Sequence, residues 1–272
     1  MTAITKRASA TTGSSEPRVE RCKAHGEYVS KPYFIRRRPP APSNLEGWTG
    51  CPICALEAGE RASAVEQDRM REERQQAARL RLEQRLAGAM IPERFVSKSF
   101  ENYATENAAQ EKAKADLQHY ANSFVEVLAV GRCLILAGGV GTGKTHLACA
   151  VANVIVGKGH SALFRTVQQV IRHVRSAWRA SDRTEEEAIA ELVAPDLLIL
   201  DEVGVQYGTE GEQVTLFDVM NARYSAGKPS IVITNLTIAE AEQYLGIRVM
   251  DRLRENGGKA VKFDWKSART KQ

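Results

Sequence analysis

A glycine-rich stretch at residues 138–145, with the sequence GGVGTGKT, constrains this chain more than any other feature. It fits the pattern G-x-x-x-x-G-K-[ST] and lies between a short apolar run, Cys133–Ala137, and a segment with helical apolar spacing, His146–Val156. In that strand–loop–helix setting, the backbone N–H groups of the loop and the positive end of the helix can surround a phosphate. The residues predicted to bind a nucleotide are Gly138, Gly139, Val140, Gly141, Thr142, Gly143, Lys144 and Thr145.

Two side chains of the loop have specific expected roles. Lys144 is expected to reach the β- and γ-phosphates of the nucleotide, and Thr145 is expected to hold Mg²⁺. His146 follows directly, and it either approaches the nucleotide or has a structural role.

An apolar run that ends in two carboxylates agrees with this interpretation. Leu197–Leu200 has the character of a parallel strand buried on both faces, and Asp201 and Glu202 follow it. Acids at the carboxyl end of such a strand lie where open α/β sheets bind ligands. We expect Asp201 to hold the magnesium ion together with Thr145, and Glu202 to orient and polarise the attacking water.

The four residues Cys22, His25, Cys51 and Cys54 form a C-x-x-H pair and a C-x-x-C pair. This spacing is typical of a closed tetrahedral zinc site, in which the metal supplies the folding energy of a small module. Free surface thiols beside a chance histidine are the alternative.

The composition divides the chain into regions. Residues 1–20 are rich in Ser, Thr, Ala and Gly and are expected to be a disordered tail. Residues 21–56 would form the zinc module, and residues 57–90 a solvated connecting helix. Residues 91–272 alternate strand and helix patterns, which predicts an α/β domain with a doubly wound parallel sheet.

The charge and hydropathy of the chain limit its partners and its location. The net charge of +5 belongs to residues 1–90, which favours nucleic acid or an acidic partner, or simply a solvated arm. No apolar run approaches the roughly 18 residues of a membrane span, and the N-terminus lacks the apolar core of a signal peptide. We therefore expect a cytoplasmic protein without membrane contact and without disulfides.

Several stretches of residues 91–272 together resemble one family, the AAA+ ATPases of the DnaC/IstB type, which includes helicase loaders. The resemblance is closer to DnaC than to IstB. The stretches are SFENY at 99–103, the glycine-rich loop at 138–145, DLLILDEVGVQ at 196–206, ITNL at 233–236, GIRVMDRLR at 246–254 and FDWKS at 263–267.

The resemblance implies a P-loop ATPase that binds ATP and Mg²⁺. Asn235 would be its sensor residue and Arg252 its arginine finger, with Arg248 one helical turn away. The catalytic set would then be Lys144, Glu202, Asn235 and Arg252. Since the sequence ends 18 residues after Arg254, we expect no helical lid.

The function implied by the resemblance is ATP-dependent loading of a hexameric replicative DNA helicase onto single-stranded DNA. Protomers would assemble into an open ring or spiral, a homo-oligomer, when ATP binds. One alternative is an IstB-like transposition helper ATPase. Another is a nucleotide-gated regulator that binds DNA or a partner and hardly hydrolyses ATP.

The family resemblance also places a single-stranded DNA channel along the helices of residues 167–193. There Arg172, Arg175 and Arg179 recur at i, i+3 and i+7, so they share one helix face, and Trp178 lies next to it. Arginines beside an aromatic ring suit a phosphate backbone with unstacked bases. A solvated amphipathic face is the alternative.

Overall fold

The computed structural model describes residues 16–35, 44–178, 183–204 and 210–267. The chain divides into two compact units, residues 1–77 and 78–272. Part of the expected disordered tail, residues 1–15, lies outside the described residues, whereas residues 18–20 belong to a strand. Among the described residues, no helix is long and apolar enough to cross a membrane.

The first unit contains two antiparallel hairpins. Strand β1 (Arg18–Cys22) pairs with β2 (Gly26–Ser30), and β3 (Pro32–Ile35) pairs with β4 (Asn44–Trp48). The buried Ser30 hydroxyl donates to the Thr49 carbonyl at 2.6 Å, which ties the end of β2 to the segment after β4. The two hairpins thus bring Cys22, at the end of β1, close to Cys51, which follows β4.

A long helix, α1 (Pro52–Gly88), follows the hairpins, and none of its residues is buried. Its sparse apolar residues cannot form a core-facing stripe, so the helix depends on local interactions. Arg79 and Glu83 form one of its i,i+4 ion pairs, at 2.9 Å. The helix begins five residues before the predicted connecting helix, so Cys54 lies in its first turn.

The second unit is a five-stranded parallel sheet with helices on both faces. Its elements are α2 (Glu93–Val96), α3 (Ala108–Asn122), α4 (Phe124–Val130), β5 (Leu134–Gly138), α5 (Lys144–Gly157), β6 (Ala162–Thr166), α6 (Val167–Ala177), α7 (Glu185–Val193), β7 (Leu197–Val203), α8 (Glu210–Ser225), β8 (Ser230–Thr234), α9 (Ile238–Leu245), α10 (Ile247–Arg254) and β9 (Lys259–Phe263). The strand order is β6-β7-β8-β5-β9.

The sheet separates two hydrophobic cores, because successive side chains of a strand point to opposite faces. Leu197 and Ile199 of β7 pack with α3 and α5, whereas Leu198 and Leu200 pack with α6, α8 and α10. All four side chains are buried. This arrangement confirms the predicted doubly wound parallel sheet.

Local sequence signals fix several helix ends. Thr184 and Glu187 form a capping box at the start of α7, and Thr237 and Glu240 form another at the start of α9. The last helix, α10, ends at Arg254 and is followed by a short 3₁₀ turn, in which Asn256 has a φ of 54°.

A buried arginine joins three segments at the amino ends of the strands. Arg223 of α8 is fully buried and donates to the carbonyls of Leu192 at 2.8 Å and Pro229 at 2.6 Å, and to the Ser230 hydroxyl at 3.0 Å. Burial lowers its pKa to about 10, so the guanidinium stays charged at neutral pH. The charge is compensated by the carbonyl dipoles at the C-terminal end of α7.

Candidate functional site

The carboxyl ends of β5, β7 and β8 surround a cavity of about 420 Å³. The strand order places β8 between β7 and β5, so the loops that follow these strands meet at one edge of the sheet. The cavity is lined by most of the glycine-rich loop, by Asp201, Glu202 and Asn235, and by Arg94, Phe95 and Lys98 from the segment around α2.

The glycines of the loop have conformations that other residues would not tolerate. Gly138 has a φ of 142°, and a Cβ there would collide with the Phe263 carbonyl of the adjacent strand β9. Gly143 has a φ of 94°, and a Cβ there would lie 2.5 Å from Cε2 of Tyr103. The sequence pattern therefore reflects both backbone conformation and close packing at these two positions.

Lys144 is the first residue of α5, and its side chain is almost completely buried. Its ammonium group donates to the carbonyls of Gly138 at 2.7 Å and Gly139 at 2.6 Å. These bonds hold the cation inside the curve of the loop, beside the backbone that is expected to surround a phosphate.

The two predicted magnesium ligands are in direct contact. The Thr145 hydroxyl donates to Asp201 Oδ2 at 3.0 Å across the strand edge. Burial raises the pKa of Asp201, and hydrogen bonds from the Glu202 N–H and the Thr145 hydroxyl oppose that shift. A hydroxyl and a carboxylate are oxygen donors of the kind that Mg²⁺ prefers, so this pair fits the ion.

Glu202 lies in a β-bulge. The register between β7 and β8 shifts between Leu200 and Val203, and Glu202 has a φ of 61°, in the left-handed region. Its N–H donates to Asp201 Oδ1 at 2.7 Å. The bulge leaves the Glu202 side chain exposed at the cavity, which is where a water-orienting carboxylate is needed.

Two further predicted residues line the same cavity. Asn235 is exposed and directly follows β8. His146 shares a 2.9 Å hydrogen bond between its Nε2 and the Ser99 carbonyl oxygen, and its ring meets that of Tyr103 edge-on. Burial lowers the pKa of His146, so the neutral ring is favoured. These contacts support the structural alternative for this histidine.

The sequence model of one protein family, the IstB-like ATP binding proteins, matches residues 62–271 of this chain. The chain belongs to this family. The replicative helicase loader DnaC of Escherichia coli strain K12 is 35% identical to this IstB-like protein over 173 residues, which is 64% of this chain and 69% of DnaC.

Solved structures show the same fold at lower sequence identity. The crystal structure of the DnaC helicase loader matches with a TM-score of 0.57 at 21% identity, over 63% of this chain and 99% of that one. The replication initiator DnaA bound to AMPPCP and single-stranded DNA matches with a TM-score of 0.54 at 20% identity, over 65% of this chain and 52% of DnaA. The predicted AAA+ fold is therefore confirmed.

The predicted arginine finger of this IstB-like protein lies away from its own nucleotide cavity. Arg252 of α10 has its guanidinium 4.9 Å from the ring centroid of Tyr224 and 5.6 Å from that of Phe217. It also donates to Asn221 Oδ1. Its neighbours around a small second cavity include Cys133 and Ser230, which lie at the amino ends of the strands.

The predicted zinc ligands converge in the first unit. The four candidate ligand atoms of Cys22, His25, Cys51 and Cys54 lie within 4.8 Å of one another. Sγ of Cys22 and Sγ of Cys54 are 3.5 Å apart, and Nδ1 of His25 is 3.2 Å from Sγ of Cys54 and 3.7 Å from Sγ of Cys51. Bonds of about 2.0–2.3 Å to one tetrahedral zinc ion require separations of about this size.

Two groups around the cluster favour metal binding. Backbone hydrogen bonds from Ala24 and His25 lower the pKa of Cys22 to about 6, while the hydrogen bond with Cys22 raises the pKa of Cys54 to about 11, so Cys22 is the thiolate of this pair. Nε2 of His25 is 3.1 Å from Oε1 of Glu57, which leaves Nδ1 for the sulfur cluster. Glu57 is not among the residues predicted from the sequence, although it lies one helical turn after Cys54.

The predicted DNA-binding residues differ in their surroundings. Arg172 is exposed, and Trp178 is exposed with its indole N–H donating to Glu185 at 2.8 Å. Arg175 instead lies 4.0 Å from Glu212 of α8, so its charge is partly compensated within the protein. Arg179 lies outside the described residues.

We predict that the left-handed backbone at Glu202 costs stability. Replacing Glu202 by Gly should give a protein that is more stable than Glu202→Ala by about 1–2 kcal/mol, because only glycine tolerates this φ without strain. Equilibrium urea unfolding of the two variants measures this difference.

The matched control is Glu126, an exposed residue within the helix α4. There the order should reverse, with Gly about 1 kcal/mol less stable than Ala. If Gly is also the less stable substitution at position 202, the bulge does not store strain.

Proposed function

We propose that this protein is an ATP-dependent loader of a hexameric replicative DNA helicase onto single-stranded DNA. The observation that carries the proposal is the meeting of Lys144, Thr145 and Asp201 at one cavity, in a chain 35% identical to a replicative helicase loader. The family includes IstB-like proteins, so the transposition helper remains the second candidate.

We propose one task for each of these side chains at the cavity. Lys144 would move from the loop carbonyls to the β- and γ-phosphates of ATP. Thr145 and Asp201 would hold Mg²⁺, which supplies charge compensation on the phosphate oxygens. Glu202 would orient the attacking water, and Asn235, on the neighbouring strand end, would contact the γ-phosphate side of the cavity.

Two variants separate ATP binding from hydrolysis. Lys144→Ala should weaken ATP binding about ten- to a hundred-fold, because a charged hydrogen-bond donor to the phosphates is lost. Glu202→Gln should bind ATP like the wild type but lose about 10²–10⁴-fold in turnover, because only the polarising carboxylate is removed. Calorimetry with ATP and a phosphate-release assay measure the two effects.

The ATP-trapped Glu202→Gln protein also tests the partner. We expect it to form a stable complex with the hexameric replicative helicase in size-exclusion chromatography, and Lys144→Ala to form none in the presence of ATP. A complex with a transposase instead would support the IstB-like alternative. Nucleotide binding by the wild type without turnover, even with helicase and single-stranded DNA, would support the regulator.

We also infer that the protein forms a homo-oligomer whose catalytic sites are shared between subunits. The guanidinium of Arg252 lies near the rings of Phe217 and Tyr224 and lines a cavity at the amino ends of the strands, whereas the phosphate loop lines the cavity at their carboxyl ends. It would therefore reach the ATP of a neighbouring copy, where an arginine finger is worth about 10³–10⁵ in rate.

Subunit mixing tests the shared site. Arg252→Ala should bind ATP but lose turnover, and Lys144→Ala should lose both. Mixing the two variants should restore part of the activity, since one intact interface can combine Lys144 of one copy with Arg252 of the other. No recovery on mixing, although each variant folds and associates, would exclude the role in trans.

We further propose that Cys22, His25, Cys51 and Cys54 hold one zinc ion, with Glu57 orienting the His25 ring. Cys51→Ser should release the metal and unfold the hairpins of the first unit, because their folding energy comes from the metal. Elemental analysis of the purified protein gives the zinc content. The control is Cys133→Ser, which alters a buried cysteine of the second unit and should leave one zinc per chain.

Single-stranded DNA is proposed to bind along α6. The support is the exposed Arg172 on that helix, the exposed Trp178 directly after it, and the fold shared with a DnaA that has been solved with single-stranded DNA. Arg172→Ala should weaken binding and reduce the salt slope by about one, because one phosphate contact is lost. Arg81→Ala, at an exposed site of α1, is the charge-matched control. If fluorescence anisotropy shows that the two variants weaken DNA binding equally, α6 is a solvated helix face and not the DNA-binding site.

A further inference from the structure

Two aromatic residues that are distant in sequence donate hydrogen bonds to the same carbonyl oxygen of the phosphate loop. The Tyr103 hydroxyl donates to the Thr142 carbonyl oxygen at 3.2 Å, and the Trp265 indole N–H donates to the same oxygen at 2.9 Å. Tyr103 precedes the sheet in sequence, and Trp265 follows its last strand. Tyr103 is buried and Trp265 half-buried, so water competes little for these bonds.

These two bonds fix the orientation of the peptide group that joins Thr142 to Gly143. In a planar trans peptide, the carbonyl and the following N–H point in opposite directions. Holding the Thr142 oxygen against Tyr103 and Trp265 therefore turns the Gly143 N–H away from them. In the G-x-x-x-x-G-K-[ST] loop, such N–H groups are the donors that surround the phosphates.

Packing at the two ends of the loop reinforces the same conformation. The Tyr103 ring occupies the space beside Gly143, and the His146 ring meets it edge-on at a centroid distance of 5.2 Å. On the other side, the rings of Phe263 and Trp265 are 4.8 Å apart, and the Phe263 backbone lies against Gly138. The loop is thus held from both flanks.

We propose that Tyr103 and Trp265 are positioning residues that hold the phosphate loop in its nucleotide-binding conformation through the Thr142 carbonyl. The inference rests on the proposed nucleotide site and assigns a task to the SFENY and FDWKS runs. Because Trp265 contacts the loop directly, its fluorescence should report nucleotide binding. Burial raises the pKa of Tyr103 to about 12, so its hydroxyl remains a donor across the working pH range.

Removal of the two donors, one at a time, tests the proposal. Tyr103→Phe and Trp265→Phe keep an aromatic ring and lose the hydrogen bond, so each should weaken ADP binding about three- to ten-fold in calorimetry. For ATP turnover, KM should rise by the same factor while kcat stays within about two-fold, since the loss affects binding alone. In the double variant, the loss of ADP-binding free energy should differ from the sum of the losses in the two single variants, because both donors share one acceptor.

Tyr120→Phe is the matched control. Its buried hydroxyl also donates to a backbone carbonyl, that of Arg132 at 2.8 Å, but at the amino end of β5. It should change stability as much as Tyr103→Phe does and leave ADP affinity unchanged. If Tyr103→Phe and Trp265→Phe bind ADP as tightly as Tyr120→Phe does, the positioning role is refuted.

Fluorescence provides a second, independent readout. In a Trp48→Phe, Trp178→Phe background, ADP should change the emission of Trp265, and Lys144→Ala should remove that change. Unchanged emission, in a protein that calorimetry shows to bind ADP, contradicts the proposal. A wild-type protein that binds no nucleotide at all overturns the proposed function itself, so the two failures are distinguishable.

Discussion

The hydrogen bond between Thr145 and Asp201 is the contact on which the site depends. It joins residues 56 positions apart, at the start of α5 and near the end of β7. The two groups can meet only because β5, β8 and β7 are parallel neighbours, so that their carboxyl ends open at one edge. The apolar cores on the two faces keep these strands in register, and they thereby hold an oxygen pair ready for a divalent cation.

A half-buried carboxylate and a buried guanidinium lie at opposite ends of this sheet, and each is stabilised by a different set of dipoles. At the carboxyl end, burial raises the pKa of Asp201 while neighbouring donors oppose the shift. At the amino end, Arg223 is charged and fully surrounded by backbone carbonyls and the Ser230 hydroxyl. Arg223 joins the connection from α7 to β7 with the start of β8. It thereby fixes β7 and β8 relative to each other at their amino ends. An unpaired buried guanidinium would cost several kcal/mol, so these acceptors are part of the fold.

Local patterns in the sequence predicted the phosphate loop, the acid-bearing strand and the convergence of Cys22 with Cys54. Each of these is encoded by residues that lie within a few positions of one another, or by a fixed spacing. The left-handed Glu202 and the carbonyl cluster around Arg223 escaped prediction, because they depend on strands distant in sequence. The shared acceptor of Tyr103 and Trp265 is of the same kind: the sequence runs were noticed, and only the fold shows that they meet.

The position of Arg252 connects the geometry of one chain to the proposed assembly. Its guanidinium is planar and lies near two aromatic rings, an arrangement that restricts its motion at little cost in solvation. A cation fixed in this way at the amino end of the sheet cannot serve the phosphates bound at the carboxyl end of the same sheet. A complete site would therefore need a second copy that presents its Arg252 to the first copy's cavity. Hydrolysis would then be possible only between subunits, which would couple ATP turnover to the making and breaking of the ring around DNA.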